Sequence, residues 1–329
     1  MSRYMTPCRG IRAVLIALLA LTLVGCTFGP AQGDAPQLGT PTETVAPLPP
    51  TKTPTAVPSS TPLPTATTIP LVRFAVIGDF GVAGDDLANV AKLVKSWDVD
   101  FIITTGDNNY PWGSAETIDE NIGQYYHRYI SPYQGSYGED TGVNRFFPSL
   151  GNHDWYTDGA QPYLDYFTLP GNERYYQFSW GMVDFFVLDS DWNEPDGIGK
   201  DSIQAAWLKE ALAASTAPWQ LVYFHMPPYS SGDHGPTTHM RWPFAEWGAD
   251  AVLAGHDHDY ERLEIDGLVY FINGLGGGAR YGFGETAAGS QVRYQARHGA
   301  MLVVATFEEI SFSFINVDGE VIDQFSLSQ

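Results

Sequence analysis

The sequence predicts an α/β fold over residues 71–329, on three observations. Short apolar runs recur along this stretch, and the first two are separated by a helix-patterned segment in the spacing of a βαβ unit. Each of the first six runs opens directly into a polar cluster. After Gly267 the helical pattern gives out and strand-like runs follow one another.

The first run, Arg73-Phe74-Ala75-Val76-Ile77, reads as a buried strand and is followed by Gly78-Asp79-Phe80-Gly81. Asp85 to Trp97 carries a helical pattern and leads to the strand Phe101 to Thr105, then Gly106-Asp107-Asn108-Asn109-Tyr110. Further strands are expected at Arg145–Leu150, Val183–Leu188, Trp219–Phe224 and Ala251–Ala254. Leu268–Ile272, Leu302–Thr306, Ile310–Val317 and Val321–Leu327 complete the series, with Asp318-Gly319 as a tight hairpin turn. The chain has no internal repeat.

Residues 1–70 stand apart from this pattern. Arg3, Arg9 and Arg12 precede the apolar run Ala13 to Val24, which is short for a membrane-spanning helix and reads as a targeting segment. The run ends in Leu23-Val24-Gly25-Cys26, which resembles a bacterial lipobox. That resemblance implies cleavage after residue 25, lipidation of Cys26, and an exported cell-surface or periplasmic lipoprotein. An ordinary secretory signal and an uncleaved anchor remain alternatives. Residues 26–70 form a tether, with nine prolines between Thr40 and Pro70 among Thr, Ala, Ser and Val. Such a composition has too little apolar surface to offset its ordering entropy, so an extended linker is expected.

Composition narrows the function. The 38 Asp and Glu outnumber 17 Lys and Arg, for a formal charge of −21. This argues against nucleic acid as a partner, because neutralising phosphate backbones takes cationic side chains. It also argues against docking on an anionic membrane surface, leaving the lipid at Cys26 as the expected membrane contact. The two cysteines, Cys8 and Cys26, both lie near the N-terminus, so no cysteine nucleophile or thiolate metal site can sit in the body of the chain.

The residues that follow the strands carry the chemistry. They are Asp79; Asp107 and Tyr110; Asn152 and His153 in Gly-Asn-His-Asp; His225; and His256 and His258 in Gly-His-Asp-His. Strand carboxyl ends in an α/β sheet converge on one crevice, and carboxylates, an amide, a phenol and imidazoles brought together there are a metal-ligand inventory. Each alone is commonplace; their joint occurrence at strand ends is the signal. His127, His239 and His298 are expected to be structural donors. Asp189-Ser190-Asp191 has Asn193 where aspartyl-nucleophile phosphatases carry threonine or valine, so Asp189 is expected to be structural. Tyr125, Tyr126, Trp155, Tyr156, Trp192 and Tyr229 are candidates for a pocket mouth, although core packing explains most aromatics equally well.

These motifs, with His225-Met226-Pro227-Pro228 and Gly255-His256-Asp257-His258-Asp259-Tyr260, resemble the calcineurin-like metallophosphoesterase superfamily over roughly residues 71–265. Tyr110 points to the purple acid phosphatases within it. Asp233-His234-Gly235-Pro236-Thr237 resembles their small, mammalian-type, tartrate-resistant branch. The resemblance implies a four-layer α/β/β/α metallophosphoesterase sandwich with mixed sheets. It implies Fe(III) held by Asp79, Asp107, Tyr110 and His258, beside a divalent iron, zinc or manganese held by Asp107, Asn152, His225 and His256. It further implies hydrolysis of phosphate monoesters on small phosphorylated substrates by direct attack of a metal-bound hydroxide, with His153 and His234 as catalytic residues beside the phosphate. A phosphodiesterase with the same centre and a non-catalytic metal-binding surface lipoprotein are the alternatives. The resemblance weakens beyond Gly274, and the glycine run ending at Gly278 receives no role.

Overall fold

The structure, a computed structural model, describes residues 70–329. The targeting segment, Cys26 and all but the last residue of the tether lie outside the described residues. Among the described residues, no helix is long and apolar enough to cross a membrane.

Thirteen strands are present in the described residues. In chain order they are β1 (Val72–Ile77), β2 (Phe101–Thr104), β3 (Phe146–Pro148), β4 (Tyr176–Trp180), β5 (Val183–Val187), β6 (Trp219–Tyr223) and β7 (Ala251–Ala254). They continue with β8 (Tyr260–Ile265), β9 (Leu268–Asn273), β10 (Ser290–Tyr294), β11 (Gly299–Ala305), β12 (Glu309–Asn316) and β13 (Val321–Ser328). One sheet has the order β13-β12-β11-β1-β2-β3 and the other β10-β8-β9-β7-β6-β5-β4. Both are mixed. β1, β2 and β3 run parallel, as do β5, β6, β7 and β9, while the remaining pairings are antiparallel.

Period-two alternation assigns each strand face to a layer. In β6, Leu221 and Tyr223 join the core between the sheets, whereas Val222 joins Leu208 and Leu212 on the other side. The inter-sheet core is rich in aromatics: Phe74 meets Phe185 edge-on at 5.1 Å and Phe271 stacks on Phe312 at 4.8 Å. Two longer helices cover the outer faces. α1 (Asp85–Ser96) buries Leu87, Val90, Ala91 and Val94, the i, i+3, i+4, i+7 stripe of an amphipathic helix, and packs by β11. α2 (Ile203–Ala214) packs on the second sheet and is capped by Ser202, whose side chain accepts from Ala205 N. The layers therefore run helix, sheet, sheet, helix, as expected.

The expectation of consecutive strands after Gly267 needs correction. β9 belongs to the second sheet, parallel to β7, whereas β11, β12 and β13 continue the first sheet from β1. β10 intervenes, and neither it nor β4 nor β8 was expected. β8 hides because Glu261 and Arg262 interrupt its apolar signal: Glu261 is buried on Ser231 and Ser290, and Arg262 pairs with Asp323 at 2.8 Å.

A polar knot ties the loops beside the first sheet. Asp119 accepts the hydroxyls of Tyr133 at 2.7 Å and Tyr166 at 2.9 Å on one oxygen, and both the N–H and the hydroxyl of Ser136 on the other. Although burial works the other way, these donors hold its carboxyl below the usual carboxylate range. A depressed folded-state value contributes stability that is present above the unfolded value and lost as pH falls through the folded one. Asp119→Asn is therefore expected to cost about 1–2 kcal/mol at neutral pH and distinctly less in strong acid, where the carboxyl is protonated in the folded state as well. Denaturant unfolding of both proteins at the two pH values checks this; an equal cost at both removes the electrostatic account.

Candidate metal centre

The carboxyl ends of the parallel strands of both sheets lie at one edge of the sandwich. Asp79 follows β1, Asp107 follows β2 and Asn152 lies beyond β3 in the first sheet; His225 follows β6 and His256 follows β7 in the second. Asp79, Asp107 and His256 all adopt left-handed backbone, with φ of 54°, 52° and 69°. This conformation is uncommon for non-glycine residues and costs of order 1 kcal/mol or more at each. It turns the chain sharply at three strand ends. Gly106, at φ 89°, has no Cβ for a further reason: one would lie 2.6 Å from the His225 ring.

Four atoms form a first group. Tyr110 Oη lies 2.8 Å from Asp107 Oδ2, 3.3 Å from Asp79 Oδ1 and 3.0 Å from His258 Nε2. Asp79, Asp107 and His258 are all buried, and each offers one ligand atom within 4.8 Å of the others. Burial and the two carboxylates raise the Tyr110 phenol well above its ordinary value.

A second group surrounds His225 Nε2. Asn152 Oδ1 lies 3.1 Å from it, His256 Nδ1 3.2 Å and Asp107 Oδ1 3.4 Å. Asp107 thus turns one oxygen toward each group. The second oxygen of Asp79 accepts the backbone N–H of His256 at 2.9 Å, so the two sheets are also joined here.

The donor chemistry fits cations. Carbonyl oxygens only accept, so His225 Nδ1, 2.8 Å from Thr105 O, carries a proton there, as does His258 Nδ1 at Ala279 O. The Nε2 lone pair of His225 then faces Asn152 Oδ1 and Asp107 Oδ1, and that of His258 faces Asp79 Oδ1, all oxygens that only accept. The protein's own charges register the same demand for positive charge. Burial opposes it, yet Asp107 and Asp79 raise His225 to about 10, while burial and the neighbouring His225 and His234 hold His256 at about 2. A cation in each group would take the place of such a proton and pair with the lone pairs turned inward.

The two remaining expected residues flank the groups. His153 Nδ1 lies 2.7 Å from Pro111 O, its Nε2 is 3.9 Å from Asp107 Oδ2, and its ring sits 4.4 Å from that of Tyr110. His234 is exposed and stacks on His256 at 4.5 Å; its loop is held by Asp257, which accepts His234 N at 2.8 Å. All nine residues singled out in the sequence therefore gather at one place.

Several contributors were not foreseen. Asp154 is buried and accepts from Gly151 N, Asn108 N and Asn108 Nδ2, tying the loops after β2 and β3 together. Tyr281 stacks on His258 at 4.1 Å and meets His234 edge-on at 5.3 Å. The glycine run packs directly on the β1 end: Gly276 N donates to Gly78 O and Gly278 N to Asp79 O. A Cβ on Gly278 would approach Asp79 O to 2.7 Å, which explains the glycine.

The aromatic candidates need sorting. Tyr125, Tyr126 and Trp155 are buried, and Trp155 Nε1 donates to Asp189 at 2.9 Å, the structural role expected of that aspartate. Tyr229 packs on Tyr270, and Trp192 on His239. Of the six, Tyr156 alone is exposed beside His153, 4.9 Å ring to ring. His127 and His298 bond to backbone carbonyls as expected.

Comparison with known proteins agrees with this geometry. The calcineurin-like phosphoesterase model matches residues 72–260. Mouse tartrate-resistant acid phosphatase type 5 is 27% identical over 246 residues, covering 63% of this chain and 73% of that protein. Arabidopsis thaliana purple acid phosphatase 7 is 26% identical over 293 residues, covering 78% and 86%. The purple acid phosphatase PPD1 of yellow lupin seeds superposes with a TM-score of 0.64 at 17% identity, over 79% of this chain. The match spans 54% of the lupin chain, about half its length. The matched model covers more than half of this sequence and encloses Asp79 through His258, with both groups and the flanking histidines inside it. This chain belongs to the calcineurin-like phosphoesterase family.

Proposed function

We propose that the protein is a binuclear-metal acid phosphatase of the purple acid phosphatase type, acting on monoesters of small phosphorylated compounds. The observation that carries this reading is Asp107, whose two oxygens face two separate sets of ligand atoms. Asp79, Asp107, Tyr110 and His258 would hold one ion, and Asp107, Asn152, His225 and His256 the other. Two carboxylates and a phenol are hard oxygen donors suited to Fe(III); an amide with two imidazoles suits divalent iron, zinc or manganese. When bound, such a pair polarises phosphoryl oxygens and makes a water-derived nucleophile available at mildly acidic pH.

The chain's own residues do the rest. Thr105 O and Ala279 O fix the rings of His225 and His258, so their Nε2 atoms stay aimed inward. His153 and His234 stand at the edges, against Tyr110 and His256, where each would donate to a phosphoryl oxygen or to the departing alkoxide. The names of the mouse and Arabidopsis relatives support the acid phosphatase assignment. The N-terminal sequence extends the proposal to an exported protein held at a membrane through lipid on Cys26.

Hydrolysis of a chromogenic phosphomonoester at acidic pH, beside the matching diester, tests the function on protein with measured metal content. Faster monoester turnover by purple protein carrying iron and a second metal is expected. Preferential diester turnover would instead make it a phosphodiesterase. Inertness of fully metal-loaded protein toward both would leave a binding role.

A further inference from the structure

We infer that Trp112 and Tyr156 form a platform for the leaving group of the substrate, selecting phosphate esters whose alcohol carries a planar aromatic ring. The inference rests on the phosphatase reading and extends it to substrate class. Trp112 is 63% exposed and Tyr156 53%, yet their rings pack on one another at 5.7 Å with a 52° tilt. Tyr156 in turn meets His153 at 4.9 Å, and His153 meets Tyr110 at 4.4 Å. A continuous row of rings therefore leads from the metal centre to solvent. Phosphorus must sit at the inner end, so a group projecting outward from the ester oxygen past His153 runs along this row.

The platform is built before any ligand arrives. The loop carrying Trp112 is pinned by Gly113 N to Asn109 O, by His153 Nδ1 at Pro111 O, and by the Thr157 hydroxyl on Trp112 O. Tyr156 is pinned by Asn152 Nδ2 donating to its hydroxyl at 3.2 Å. Two large rings exposed to water on a pinned loop forgo apolar burial, and a flat partner would recover it by stacking. Beyond His153 the row consists of the two neutral rings Tyr156 and Trp112, so what they offer a leaving group is a π face.

The experiment measures kcat/KM for phenyl phosphate, a nucleoside 5′-monophosphate and glycerol 2-phosphate on metal-loaded protein. In Trp112→Ala, the values for the two aromatic esters should fall about five- to fifty-fold further than the value for glycerol phosphate, through KM. Trp112→Phe should restore most of the difference. Phe307→Ala is the control, because this exposed aromatic lies in the β11–β12 turn at the opposite end of the sheet. Turnover of all three esters with a ratio unchanged by Trp112→Ala would overturn the platform alone. Failure of the wild type to hydrolyse any of them would overturn the phosphatase reading and the platform with it.

Discussion

Asp107→Asn is expected to empty or scramble both metal positions and to lower turnover by at least about a thousandfold. Asp107 is 1% exposed and turns one side-chain oxygen toward each group. Its Oδ2 takes the Tyr110 hydroxyl, and its Oδ1 lies toward His225 Nε2 while accepting His153 N at 2.9 Å. Asparagine fits the same space but replaces one oxygen with an NH2 group. That change removes a full negative charge and places two N–H bonds where a lone pair is needed, so one group loses its shared ligand whichever way the amide turns. Elemental analysis reads the outcome directly, with thermal unfolding as a check that the fold survives. Full occupancy of two metals with normal turnover would remove the bridging role. By contrast, a substitution confined to one group, such as Asn152→Ala, should deplete one metal more than the other.

The site was legible because its residues follow directly from strand ends. Ile77-Gly78-Asp79 and Thr105-Gly106-Asp107 announce themselves as apolar runs that stop abruptly at a turn, and such runs mark buried parallel strands. The partner of each strand was not legible. β9 and β11 have similar apolar character, yet one lies beside β7 and the other beside β1. Local periodicity reports that a strand is buried and not which neighbour buries it. Contacts made by backbone were equally hidden. Gly276 and Gly278 act through N–H groups, and a run of glycines carries no chemistry of its own to read. Trp112 and Tyr281 escaped notice for a different reason: an aromatic in sequence is far more often core than platform, and only exposure or stacking tells the two apart.

His153→Ala should retain both metals and lose about 10²–10⁴-fold in turnover. The separation of effects follows from which atoms of His153 do what. Its backbone N–H donates to Asp107 Oδ1, and alanine keeps that bond, so the bridging carboxylate stays oriented. Its side chain is assigned to neither ion: Nδ1 is engaged by Pro111 O and the ring lies against Tyr110 at 4.4 Å. The Pro111 carbonyl holds Nδ1, so Nε2 is the nitrogen left to face the reaction, which is the arrangement a proton donor requires. The side chain is 28% exposed, so removing it leaves no sealed cavity, and stability should change by less than about 1 kcal/mol. If leaving-group protonation is what His153 supplies, the loss should shrink for esters of acidic phenols, which depart without a proton, and remain full for alkyl esters. Loss of metal in place of loss of rate would make His153 a ligand, and an equal rate loss across leaving groups would confine it to holding the phosphate.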